Sequence, residues 1–139
     1  MEKLKVNMKM TPAVAFKVGI LVIVAIAILI GLKPPSIAMN NDGLKIGGLY
    51  GKLYEWDVIE NVELFNQMPK IGMRTNGMDL GSTKRGYFNM GDYGSSTLYV
   101  NTSHEAFIVF KYGDRHIFVS FDDAQKGLDA YETIMMHTN

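Results

Sequence analysis

Hydrophobic positions form three successive patterns along the chain, and the first is an apolar run from Val18 to Leu32 without a charged or strongly polar side chain. Extended back to Ala13 across Lys17, the run reaches about twenty residues, enough for a helix to cross a hydrocarbon core of about 30 Å. Many of its residues are β-branched, but a lone segment in lipid satisfies its backbone amides only as a helix. We therefore predict a transmembrane helix over residues 13–32.

The second pattern consists of short apolar or alternating runs separated by glycine and asparagine, which are typical of β-strands joined by turns. Eight strands are predicted: Leu44–Gly48, Gly51–Trp56, Val58–Phe65, Ile71–Asn76, Arg85–Met90, Thr97–Val100, Ala106–Lys111 and His116–Phe121. The last two flank a glycine-containing hairpin loop at Lys111–Arg115. Their succession indicates a meander-like antiparallel architecture.

The third pattern has a helical period and predicts one amphipathic helix at the carboxyl end. Its apolar stripe consists of Ala124, Leu128, Tyr131, Ile134 and Met135. Asp122 is the predicted N-cap, and Gln125 completes a capping box. A single helix after eight strands is expected to close the open end of a bent sheet.

Alternation in the strands and the helix also predicts the core of the β region. Its predicted members are Leu49, Leu53, Val62, Leu64, Leu98, Val100, Ile108, Phe110, Ile117, Val119 and Leu128.

Charge divides the chain at the apolar run. Through Lys17 there are four cations and one anion, and from Lys33 onward ten Lys/Arg stand against thirteen Asp/Glu. The positive-inside rule then places the amino terminus in the cytoplasm and the β domain on the other side, although Lys33 opposes this orientation. The acidic balance of the β domain argues against general nucleic-acid binding, which requires a basic surface.

These patterns predict four regions: a basic tail (1–12), a transmembrane helix (13–32), a linker (33–43) and a β domain with its carboxy-terminal helix (44–139). A cleaved signal peptide is the alternative, since Ser36–Ala38 offers small residues at cleavage positions. The length of the apolar run favours an uncleaved anchor. The pairs Ala15/Gly19 and Ala27/Gly31 have a spacing that lets two helices approach, which is compatible with a homo-oligomer.

Several motifs follow one another in the β region before its last strand and helix: Tyr50-Gly51, Trp56–Ile59, Val62–Leu64, Pro69, Arg74–Gly77, Gly86–Phe88 and Leu98–Val100. In this order they resemble bacterial pleckstrin-homology-like (PH-like) domains, which are often found in small membrane-anchored proteins. The resemblance covers Leu44 to His137, and its most specific part is the Arg74–Gly77 turn followed by Gly86–Phe88. It implies two nearly orthogonal antiparallel sheets closed by the carboxy-terminal helix, and no common catalytic residues.

The sequence contains few residues suited to catalysis or metal binding. The absence of cysteine excludes disulfides, thiolate catalysis and zinc–cysteine sites. His104, His116 and His137 are never at metal-ligand spacing. We predict no catalytic residues, no cofactor and no metal. The alternative is a membrane-tethered hydrolase that uses Asp79, Asp92 or the pair Asp122-Asp123, although capping of the final helix explains that pair sufficiently.

Two groups of residues are candidate recognition surfaces. A predicted hairpin carries an anion or partner patch, for lipid headgroups or an acidic partner, formed by Lys70, Arg74, Lys84 and Arg85. A solvated rim is the other interpretation of these cations. The candidate recognition aromatics, which core packing explains equally well, are Tyr87, Phe88, Tyr93 and Tyr99.

Together these features predict a single-pass protein of the cell membrane, whose PH-like β domain is a non-catalytic binding module for a protein or peptide. An open edge strand is the surface that such a module is expected to offer, because it is a template for an added peptide strand.

Overall fold

A computed structural model of the chain describes residues 11–138, which form two helices and nine strands. Most of the predicted basic tail, 1–12, therefore lies outside the described residues. The fold divides into two compact units at the junction of Lys33 and Pro34. The mainly β class, with one helix at each end, is confirmed.

The amino-terminal unit is helix α1, Pro12–Leu32. The Thr11 hydroxyl caps it by accepting a hydrogen bond from the Val14 amide at 3.3 Å, and Pro12 suits the first turn because its missing N–H needs no partner there. The helix ends before Pro34, which cannot continue the hydrogen-bond ladder. The predicted apolar helix is confirmed, and it is long and apolar enough to cross a membrane.

The second unit contains nine strands and helix α2. The strands are β1 (Ile37–Met39), β2 (Gly43–Ile46), β3 (Lys52–Glu55), β4 (Ile59–Phe65), β5 (Met73–Leu80), β6 (Thr83–Asn89), β7 (Ser95–Asn101), β8 (Ala106–Tyr112) and β9 (Arg115–Phe121), and α2 is Ala124–Thr138. All eight predicted strands are present with shifted ends. Strand β1 was not predicted, and it lies inside the predicted linker, 33–43, where Ile37 pairs with Ile46 of β2.

The strands form two sheets. A three-stranded antiparallel sheet has the order β1-β2-β3, and a six-stranded sheet has the order β4-β8-β9-β7-β6-β5. The expectation of antiparallel pairing throughout is wrong at one place, since β7 and β9 are parallel, with Ser96 opposite His116. The tight β8–β9 hairpin, whose turn is Gly113-Asp114, inserts β9 between β7 and β8 and causes this pairing.

The central strands of the six-stranded sheet bury side chains on both faces. We call one side the helix face, because the three-stranded sheet and α2 pack on it; its buried strand residues are Tyr99, Ile108, Phe110, Ile117 and Val119. We call the other side the crossover face; its buried strand residues are Phe88, Leu98, Val100, Phe107, Val109 and Phe118. Along β9 the buried apolar residues alternate between the two faces, with Ile117 and Val119 on the helix face and Phe118 on the crossover face.

The crossover face is partly covered by segment 66–72, which joins β4 to β5, the two outermost strands, and places Met68 and Ile71 against the buried cluster. The pairings give β4 and β5 the same direction, so β4 ends at one end of the sheet and β5 begins at the other. The segment must therefore span both the width of the sheet and the length of a strand. A flat six-stranded sheet would require about 31 Å for this diagonal. The seven residues between Phe65 and Met73 provide eight Cα–Cα steps, which reach at most about 28 Å when fully extended. The sheet must therefore curl toward the crossover face.

Most predicted core residues of the central strands are buried, and Val62 and Leu64 are half-buried. Leu49, Leu53 and Leu128 are exposed, so their assignment to the core is wrong. Leu49 lies in the turn between β2 and β3 with 85% of its surface exposed. Leu53 points away from its buried neighbour Tyr54, as alternation along β3 requires.

Helix α2 is rotated and capped differently from the prediction. Its buried residues are Gly127, Ala130 and Ile134. The Gln125 amide donates to the Asp123 carboxylate at 2.7 Å, so Asp123 provides the cap and Asp122 does not. Because the Gln125 side chain donates to Asp129, the predicted capping box is also wrong.

A close approach of α2 to the sheet at Gly127 predicts that the Gly127→Ala substitution is destabilising. A Cβ at Gly127 would lie 2.3 Å from the Ala106 Cβ. Overpacking of this kind costs about 1–3 kcal/mol, which exceeds the gain of about 1 kcal/mol in helix propensity. Chemical denaturation should show a lower free energy of unfolding. The double variant Gly127→Ala/Ala106→Gly should recover part of the loss, and a single variant more stable than wild type would contradict the packing argument.

Candidate functional site

The four cations of the predicted anion patch do not form one surface. Lys84 and Arg85 are neighbours in β6 and therefore point to opposite faces of the sheet. Lys84 is paired with the Asp79 carboxylate and donates to the Gly81 carbonyl at 2.6 Å. Burial lowers the pKa of the Arg85 guanidinium from its usual value. The charge of Lys84 is thus compensated within its own hairpin, and Arg85 faces the opposite side.

The other two cations of the patch are exposed near the start of β5. Arg74 lies opposite Phe88 of β6, and its guanidinium donates to the Gly77 carbonyl at 3.4 Å. Lys70 lies in segment 66–72. Of the predicted patch, these two side chains are the ones placed to meet a partner at this edge.

The predicted recognition aromatics also occupy different environments. Tyr87 is 38% exposed and lies beneath the guanidinium of Arg115, which is 4.8 Å from the ring centre. Phe88 and Tyr99 are buried, and Tyr93 is half-buried against His116. The prediction of one exposed aromatic surface is corrected accordingly, because alternation sends Phe88 into the crossover face and Tyr99 into the helix face.

Tyr99 belongs to a buried hydroxyl network that the sequence pattern did not reveal. Its hydroxyl donates to the Tyr50 carbonyl, and the Tyr54 hydroxyl lies 2.6 Å from it. Since Tyr99 uses its proton on Tyr50, Tyr54 is the donor to Tyr99. Burial raises the pKa of both tyrosines, so both stay neutral hydrogen-bonding groups. The network joins the three-stranded sheet to the six-stranded sheet.

The three histidines have separate partners. His104 Nδ1 lies 2.7 Å from the Ser120 hydroxyl, and His116 Nδ1 lies 2.7 Å from the Tyr93 carbonyl oxygen. His137 stacks on Trp56 with 4.4 Å between ring centres. Within residues 11–138, no group of three potential metal ligands comes together.

The aspartates of the hydrolase hypothesis lie exposed at three separate places. Asp79 pairs with Lys84 on β5, and Asp92 lies in the short 3₁₀ turn at Gly91–Tyr93. Asp122, beside Asp123 at the start of α2, pairs with Lys126 at 3.2 Å, and this contact lowers the pKa of the Asp122 carboxyl. These carboxylates therefore do not form one cluster within the described part of the chain.

Strand β5 is the candidate binding surface. It is an outermost strand that pairs with β6, and six of its eight residues are exposed. Met73 and Leu80 at its ends are 76% and 45% exposed. The pairing is irregular between Arg74 and Asn76, where a bulge leaves Thr75 out of register. The strand thus offers accessible backbone groups between two exposed apolar side chains. The sequence predicted an open edge strand as the binding surface, but it did not identify β5 as that strand.

No family model, curated protein or solved structure matches this chain. The features of the chain that bear on its function are the exposed edge strand, its charges and the apolar helix.

The tyrosine network predicts unequal effects for two substitutions that each remove one hydroxyl. Tyr99→Phe leaves the buried Tyr54 hydroxyl and Tyr50 carbonyl without their partner, which costs about 1–3 kcal/mol for each unsatisfied group. Tyr54→Phe leaves the Tyr99–Tyr50 bond in place and should cost less. Urea denaturation of both variants measures the difference. Equal losses would contradict the assigned direction of donation, and Tyr93→Phe, outside the network, serves as the control.

Proposed function

We propose that this protein is a single-pass membrane protein whose second unit is a PH-like, non-catalytic interaction module. The module binds an extended segment of a protein or peptide along strand β5. The observation that carries the proposal is the exposed outer edge of β5.

The physical basis is strand addition. An extended peptide beside an edge strand gains a row of main-chain hydrogen bonds, and the side chains of the edge strand supply selectivity. Strand β5 has eight residues, long enough for several such bonds. Its exposed apolar residues, Met73 and Leu80, would lose contact with water when a partner strand covers them.

Helix α1 and the lysine asymmetry support the membrane part of the proposal. Lysine excess before the helix favours an amino terminus in the cytoplasm and a β unit outside it. A curled sheet with a packed carboxy-terminal helix supports the PH-like assignment. The parallel β7–β9 pair departs from the arrangement that the resemblance implies.

Binding of anions or lipid headgroups is the weaker candidate. Lys70 and Arg74 are exposed and favour it, but Lys84 is compensated by Asp79 and Arg85 faces the other side of the sheet. Two cations at an edge that also carries exposed apolar residues fit a polypeptide better than a headgroup.

The proposed anchor predicts the position and retention of a reporter fused after Asn139. The reporter should lie outside the cytoplasm and sediment with membranes, because the apolar helix is retained in lipid and lysines hold its start inside. Protease protection and fractionation measure both properties. A soluble external reporter would indicate cleavage, and a cytoplasmic reporter would contradict the orientation. Replacing Ile23 and Ile26 by Lys should abolish retention.

The proposed binding edge predicts position-specific photo-crosslinking in cells. A photoreactive amino acid at Thr75, on β5, should give a discrete adduct, because a docked strand lies within its reach. The same amino acid at Glu132, exposed on α2, is the matched control and should give no such adduct. Equal adducts from both positions, or adducts from Glu132 alone, would refute binding at β5.

A further inference from the structure

The two outer strands of the six-stranded sheet carry opposite charges on exposed residues. Strand β4 carries Glu60 and Glu63, and strand β5 carries Arg74, with Lys70 just before it. Asp79 is the acidic residue of β5, and its own pairing with Lys84 compensates it. The sheet therefore has an acidic edge at β4 and a basic edge at β5.

These charges lie on the same face of the sheet. Glu63 is opposite Val109 of β8, and Arg74 is opposite Phe88 of β6. Val109 and Phe88 are both buried on the crossover face, and directly opposite residues share a face. Glu60 is opposite Lys111, two residues along β8 from Val109, and so also belongs to that face. A sheet continued from one molecule into the next would thus bring the two charges to one side.

The acidic and basic groups remain available for such a contact. Among the described residues, the ion pairs are Lys84–Asp79 and Lys126–Asp122, and neither includes Glu60, Glu63 or Arg74. The three side chains are exposed. An intermolecular pairing would therefore not have to break an existing ion pair.

We propose that the partner of the β5 edge is a second copy of this chain, which docks its acidic β4 edge against the basic β5 edge and continues the six-stranded sheet. This inference rests on the proposed function, since it names the occupant of the same edge. The contact is heterologous, because two different surfaces meet, and it leaves a free β4 and a free β5 for further copies.

Strand direction is consistent with this contact. Counting the pairings across the sheet gives β4 and β5 the same direction, so a neighbour presenting the same faces pairs its β4 parallel to β5. A two-fold contact between two β4 edges would instead bring like charges together. A two-fold contact between two β5 edges would leave the acidic β4 edge outside the interface. The experiment below distinguishes this arrangement from the proposed one.

The test is charge reversal in the full chain, purified in detergent micelles and sized by sedimentation velocity. The acidic-edge variant is Glu60→Lys/Glu63→Lys, and the basic-edge variant is Arg74→Glu. The matched control, Asp42→Lys/Glu132→Lys, reverses two exposed carboxylates that belong to neither edge strand. Circular dichroism checks that each variant keeps its fold.

Wild type and control should form oligomers, and each edge variant alone should sediment as a monomer. An equimolar mixture of the two edge variants should associate again, because each β5 then meets a β4 of opposite charge. The triple variant in one chain should do the same. Association should also weaken as salt shortens the Debye length from about 10 Å at 0.1 M to about 3 Å at 1 M.

A monomeric wild type would overturn the inference. Oligomers that persist in both the acidic-edge and the basic-edge variant would also overturn it, because such oligomers would form through α1. Loss of association in the Arg74 variant without loss in the Glu60/Glu63 variant would assign a two-fold β5 contact and overturn it too. A monomeric wild type with a specific adduct at Thr75 would leave the proposed function standing with a different polypeptide as partner.

Discussion

The fold depends on the need to cover both faces of the strands at the centre of the six-stranded sheet. Adjacent residues of β9, such as Phe118 and Val119, are both buried, so neither face can be left to water. The three-stranded sheet and α2 meet this requirement on the helix face, and the Tyr54–Tyr99–Tyr50 network joins the three-stranded sheet to β7 there. On the crossover face, the sheet curls and segment 66–72 lies across it. The short length of that segment enforces the curvature.

This burial determines where a partner can bind. Since covering elements occupy both faces of the central strands, the accessible hydrogen-bonding surface of the sheet is its two edges. Each edge strand carries one bulge, at Asn61 of β4, whose φ is 52°, and at Thr75 of β5. Strand β5 is longer and bears exposed apolar residues at its ends. The edges thus differ in exposed apolar surface as well as in charge.

The sequence predicts local features of this fold better than its long-range contacts. The apolar helix and the final hairpin were predictable because each depends on a pattern within one segment. The parallel β7–β9 pair was not, because insertion of one hairpin between two strands leaves no local pattern. Gly127 illustrates the same limit. Helical periodicity predicted that Leu128 is buried, but α2 approaches Ala106 so closely that Gly127, which has no side chain, occupies the buried position. For the candidate site, alternation separates Lys84 from Arg85, whereas the choice of β5 as an edge required the sheet order.

If α1 holds the chain in a membrane, as we propose, opposite charges at the two edges have a further consequence. Strand addition between soluble domains pays the full cost of lost translational freedom, whereas anchoring confines both copies to one layer and raises their effective concentration. A modest edge contact, with a few main-chain hydrogen bonds and one or two exposed ion pairs, is then sufficient for association. Because the acidic and basic groups share one face and the edge strands run in the same direction, such a contact repeats without inverting successive copies. In the proposed assembly the apolar helix and the charged edges act together: the helix raises the local concentration of the weak edges, and the edge charges select which two edges pair.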